Sequence, residues 1–205
     1  MEFKDGTNIY TFDGKGAGSL RRVVINPETK KVTHIVIEKG FLFKEDKVIP
    51  VEQVDSASQE EVNLICTLDE LKEMSPLDIE FDVPSSTSTR RDLNYDPLIG
   101  KMYWTTEPSM IKETKRTISD ELVALKEGAR VMSGDDEHVG NVERVFTAPN
   151  TGKVSYFILS LGLLHKIRKA VPINWVKILS EDEVRLTVGT RQIEELTAID
   201  VVSLE

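Results

Sequence analysis

The sequence predicts an all-β chain with short helices, built as two tandem small antiparallel β-barrels joined by a long linker. That expectation rests on a repeat, a strand pattern and a change of character between the repeats. The chain matches itself at a fixed shift of 122 residues. Each copy alternates short β-branched and apolar runs with Gly, Pro, Asn and Asp turns. The segment 75–124 is more polar and breaks that rhythm.

Phe3–Met74 aligns with Leu125–Leu196 without a gap, with about 21 identities over roughly 72 positions, where unrelated chains give about four or five. The shift pairs Gly6 with Gly128, Gly18 with Gly140, Pro27 with Pro149, Lys31-Val32 with Lys153-Val154, Pro50 with Pro172, and Glu61-Val62 with Glu183-Val184. Turn formers and alternating aliphatics specify a backbone path and a core, so the repeat is a signature of fold and not of an active site. The expected division is 1–74 for the first barrel, 75–124 for a partly ordered linker, 125–199 for the second barrel and 200–205 for a tail.

Within each copy the elements follow in order. Asn8–Phe12 and Arg130–Ser133 are short mixed strands ending at Asp13-Gly14 and Gly134-Asp135. Leu20–Ile25 and Val142–Thr147 are strands that run into Asn26-Pro27-Glu28-Thr29 and Ala148-Pro149-Asn150-Thr151-Gly152, where proline sets the turn. Val32–Ile37 and Val154–Leu159 return as near-continuous apolar runs, suited to strands buried on both faces. Lys47–Val51 and Lys169–Ile173 carry a proline that belongs at a strand edge. After Glu61–Leu64 and Glu183–Leu186, helical spacing predicts one short helix per copy, at Leu68–Met74 and Arg191–Leu196. In the linker, Ser85–Arg91 reads as polar and mobile, while Phe81, Tyr95, Tyr103 and Trp104 predict that parts of it pack against the barrels.

The order Gly18, Val23, Pro27-Glu28-Thr29, Val32–Ile37, Gly40, Val48-Ile49-Pro50 and Val62-Asn63-Leu64, repeated 122 positions on, resembles the PRC-barrel domain. That family takes its name from the cytoplasmic domain of the photosynthetic reaction centre H subunit. The resemblance implies a six-stranded barrel that serves as a protein-interaction module, without the H subunit's membrane helix. By analogy with ribosome-maturation factors of the same family, it also implies an alternative role as a ribosome- or RNA-associated accessory factor.

No motif points to catalysis. Gly14-Lys15-Gly16-Ala17-Gly18 resembles a phosphate loop, but a strand pattern follows it instead of a helix, so a hairpin turn is expected. His34, His138 and His165 stand at non-equivalent places without metal-ligand spacing, and Asp135-Asp136-Glu137 reads as a solvated acidic turn. Cys66, the sole cysteine, lies in an apolar run and is expected to be buried and inert. No cofactor is expected.

The net charge is −9, distributed as −3 over Phe3–Met74, −3 over 75–124 and zero over Leu125–Leu196, with Glu2, Asp200 and Glu205 supplying the last −3. Neither copy offers a basic field, which argues against DNA binding and against charge-driven RNA association. No run approaches the roughly 18 apolar residues of a membrane span. A single cysteine and the lack of an apolar leader fit a cytoplasmic protein. Expected partners are proteins, including a second copy in a homodimer.

The candidate interaction surface lies where the copies diverge after Gly40 and Gly162. Phe41, Leu42 and Phe43 stand in one copy, and Leu163, Leu164, His165, Lys166, Arg168 and Lys169 in the other; apolar residues ringed by charge mark contact surfaces. Trp175, where the first copy has Gln53, is a further candidate anchor. A ligand held between the barrels would require a sizeable pocket at their junction.

Overall fold

A computed structural model of the chain describes residues 1–38, 45–98, 100–148, 151–162 and 167–199. The first copy contains β1 (Glu2–Lys4), β2 (Asn8–Tyr10), β3 (Gly16–Asn26), β4 (Lys31–Ile37), β5 (Lys47–Pro50), β6 (Val54–Ala57), β7 (Glu61–Leu64) and α1 (Leu68–Glu73). Next come β8 (Asp78–Asp96) and β9 (Lys101–Arg116). The second copy contains β10 (Val123–Lys126), β11 (Arg130–Met132), β12 (His138–Thr147), β13 (Val154–Leu161), β14 (Ile167–Pro172), β15 (Val176–Leu179), β16 (Glu183–Leu186) and α2 (Thr190–Glu194).

Six strands of each copy form one sheet in the same order, β5-β4-β3-β2-β7-β6 and β14-β13-β12-β11-β16-β15. The seventh strand of each sheet comes from the other copy. β1 lies antiparallel on β12, with Phe3 opposite Val145, and β10 lies antiparallel on β3, with Leu125 opposite Val23. The repeat therefore sets the strand order within a barrel, but neither barrel is completed by its own stretch of chain. Gly6 and Gly128 carry the chain back, each donating its N–H into its own barrel, to Leu20 O and Val142 O.

Alternation along each strand turns one set of side chains inward. Ile9, Leu20, Ile35, Ile37, Ile49 and Val62 fill the first barrel, and Val131, Phe157, Leu159, Val171 and Val184 the second. With Phe3 and Leu125 they form one contiguous core. A smaller cluster of Val24, Val36, Val48, Leu77, Ile118 and Ala124 buries the two ends of the segment expected as a linker.

The helices are short and well capped. Thr67 and Glu70 exchange hydrogen bonds at the start of α1, a reciprocal cap. For α2 the cap comes from across the barrel, where Asp135 Oδ1 accepts from the backbone N–H and the hydroxyl of Thr190, each at 3.1 Å. The acidic turn Asp135-Asp136-Glu137 thus has structural work: Asp135 holds α2, and Asp136 pairs with Arg185.

Between Leu77 and Ile118 the chain is a long antiparallel ribbon, β8 on β9, and Asp78–Thr117 forms a compact unit of its own. The stretch Ser85–Arg91, read from composition as mobile, lies within β8. The side chains of Phe81, Tyr95, Tyr103 and Trp104 lie outside the described residues.

Candidate functional site

Seven of the ten candidate residues, Phe41, Leu42, Phe43, Leu163, Leu164, His165 and Lys166, lie outside the described residues. The other three are engaged in the fold. Lys169 is only 7% exposed, and its ammonium donates to Ile193 O at 3.0 Å and Glu194 O at 2.5 Å, closing the C-terminus of α2. Its equivalent, Lys47, does the same at α1 through Lys72 O and Met74 O. Arg168 Nε donates to both carboxylate oxygens of Glu143, at 2.9 and 3.0 Å. Trp175 sits partly buried against the core in the 3-10 turn Ile173–Trp175. Lys169 therefore leaves the candidate surface, because a cation bound to helix-end carbonyls has nothing left to offer a partner.

The junction of the barrels is packed around Phe3 and Leu125. The depression there is lined by repeat-related pairs, among them Phe3 and Leu125, Asp5 and Glu127, and Arg22 and Arg144. It encloses about 20 Å³, room for about one water and far below a small-molecule site. Around it Arg144 Nη1 binds Glu2 Oε1 at 2.7 Å and Arg22 Nη1 binds Glu181 Oε2 at 3.4 Å. A ligand held between the barrels finds no room in this depression.

A different surface emerges on the first barrel. The turn after β2 is closed by Thr11 N donating to Lys15 O and Gly14 N to Thr11 O. At its tip stands Phe12, 77% exposed, whose N–H donates to Cys66 O and so lies beside Ile65, 51% exposed. Charges surround this pair. Lys15 Nζ meets Asp13 Oδ2 at 2.7 Å, and Lys72 Nζ meets Asp69 Oδ1 at 2.8 Å. Asp13 is held below the usual carboxylate range by the Lys15 hydrogen bond first and the Thr11 hydroxyl second. Asp69 is lowered mainly by Lys72 and, more weakly, by the Lys15 charge, so turn and helix share one field. Cys66, between them, is buried and its thiol pushed up by desolvation, which keeps it unreactive.

The second barrel has the same backbone bond, Gly134 N to Val188 O, but a glycine in place of Phe12 and Thr187 in place of Ile65. A Cβ on Gly134 would meet Thr187 O at 2.9 Å, so no side chain fits there. The apolar pair belongs to one barrel alone. Phe12 stands at a position the two copies do not share; its signal in the sequence is a large aromatic opposite a glycine in the repeat alignment.

His34, on β4, is half-buried with its pKa lowered by burial, while His138 begins β12 in the other barrel and His165 lies outside the described residues. Among the described residues no helix is long and apolar enough to cross a membrane. None of the curated proteins matches the chain. The family model of the PRC-barrel domain matches twice, over residues 5–71 and 127–192, the two stretches that make the six-stranded sheets. With both copies matched over more than half its length, the chain belongs to the PRC-barrel domain family.

Proposed function

We propose that this protein is a non-enzymatic interaction or scaffold protein whose first barrel offers Phe12 and Ile65 to a protein partner. Phe12 carries the reading. Burying a phenylalanine is worth about 1.5–3 kcal/mol relative to leaving it in water, and a turn position has no use of its own for an aromatic ring. A partner that covers the pair recovers that energy, while the Asp13–Lys15 and Asp69–Lys72 pairs form the polar rim typical of protein contacts.

Affinity capture with the full-length chain tests this, run beside Phe12→Ser/Ile65→Ser. The expected result is a defined set of proteins retained by the parent chain and lost with the double variant at an unchanged melting temperature. Equal retention by both removes the surface. Co-sedimentation with ribosomes at low salt would turn the reading towards the accessory-factor alternative.

A further inference from the structure

β8 and β9, of 19 and 16 residues, pair with each other and with no other described strand. A lone two-stranded ribbon is marginal in water, because both outer edges and both faces stay solvated. This ribbon needs cover.

Its two faces differ. The register sets Asp78 opposite Arg116 and Glu80 opposite Thr114, and that face is laced by Arg116 Nε–Asp78 Oδ1 at 3.5 Å and Lys112 Nζ–Glu80 Oε2 at 3.2 Å. The two-residue period places Ile79, Ile111, Glu113 and Lys115 on the other face. There Ile79 and Ile111 are 44% and 45% exposed. Glu113 and Lys115 form no ion pair with one another or with any other described residue.

Those two charges are self-complementary. A second ribbon related by a two-fold axis over Thr114 brings each Glu113 to the other's Lys115, with the Ile79-bearing face of each ribbon turned inward. The charge balance agrees. Residues 78–117 hold six basic and seven acidic side chains, whereas the whole chain carries −9. A near-neutral ribbon meeting its own copy therefore brings little like charge together.

We propose that β8–β9 is a dimerisation arm, packing its Ile79–Ile111 face against the same face of a second copy of this chain. The proposal rests on reading the chain as an interaction protein and names one partner. Sedimentation velocity on the full chain over a concentration series tests it, with circular dichroism as the control for folding. A reversible dimer is expected, and Ile79→Asp/Ile111→Asp should be monomeric with intact barrels. Glu113→Lys and Lys115→Glu should each weaken the dimer about tenfold. The double swap should return it to within about threefold of the parent, because the pair is again self-complementary. A parent chain that is monomeric throughout, a dimer indifferent to the isoleucine changes, or a double swap without recovery overturns the proposal. So does a monomeric chain whose ribbon is needed to bind another protein or a lipid vesicle. The Phe12 capture experiment reads a different surface, and a monomer can still pass it.

Discussion

Asp5 donates its backbone N–H to Glu127 Oε2 at 2.7 Å, and the two residues hold the same position in successive repeats. Equivalent residues touch each other only near a symmetry axis. Lys31 and Lys153, also equivalent, form a second such contact as an antiparallel bridge. It is flanked by the matched bonds Val32 N to Gly152 O and Val154 N to Lys30 O. A pseudo-two-fold axis thus relates the barrels, and the exchange of β1 and β10 follows it.

That axis gives stability a pH dependence. Burial beside Asp5 pushes the Glu127 carboxyl up to about 7, and Asp5 is also raised, by burial first. An acid whose folded pKa lies above its unfolded one stabilises the fold fully below the unfolded value, near 4.5, and loses that contribution as pH rises through 7. Much of Glu127 remains in water, so screening reduces the effect to about 1 kcal/mol. Glu127→Gln keeps the acceptor for Asp5 and should melt higher than the parent at pH 8, with the gain shrinking to nothing at pH 4.5. Thermal melts across that range check it; parallel curves would rule it out.

Strand exchange makes a distant prediction. Phe3 is fully buried at the edge of β12, so Phe3→Ala should cost about 3–4 kcal/mol. The loosening should appear in the second barrel. Hydrogen exchange should show lost protection at Arg144–Phe146, while Arg22–Val24, covered by β10, stays protected.

Lys169 and Lys47 close their helices without belonging to either one. Lys169→Met keeps the aliphatic stem and removes two charge-assisted hydrogen bonds, a loss of about 2 kcal/mol in urea unfolding. Lys47→Met should cost less, since Lys47 is the more exposed of the two.

Gly140 and Gly18 are identical in sequence and unequal in space. Both have positive φ, at 145° and 120°. At Gly140 a Cβ would overlap the Ser160 carbonyl oxygen, which backbone pairing holds in place. At Gly18 it would meet Ile37 Cγ2, a side-chain atom that can move, at 3.0 Å. Gly140→Ala should therefore destabilise by about 3 kcal/mol and Gly18→Ala by about half as much. Equal losses in denaturant titrations would contradict the geometry.

Elements whose pattern is local were legible in the sequence. The strands from Leu20 to Ile37 and from Val142 to Leu159, the proline-led turns between them and the short helices could be read from neighbouring residues. β1 could not. Three residues, Glu2-Phe3-Lys4, carry too little alternation to mark a strand, and their partners lie 140 to 144 positions away. Phe12 was not legible, because it stands where the two copies differ and exposure of one side chain is not a periodic signal. Lys169 looked like part of a surface basic cluster because spacing cannot show that a helix end waits beneath it.

The sequence by itself determined the duplicated barrel, because glycines, prolines and alternating aliphatics act through local backbone preference and facing, which are written along the chain. Only the tertiary structure decided that the barrels trade edge strands across a pseudo-two-fold axis, that Lys169 is buried and that Phe12 is not. Those outcomes depend on which distant backbone offers an open edge or a free carbonyl, and that is settled when the two copies meet.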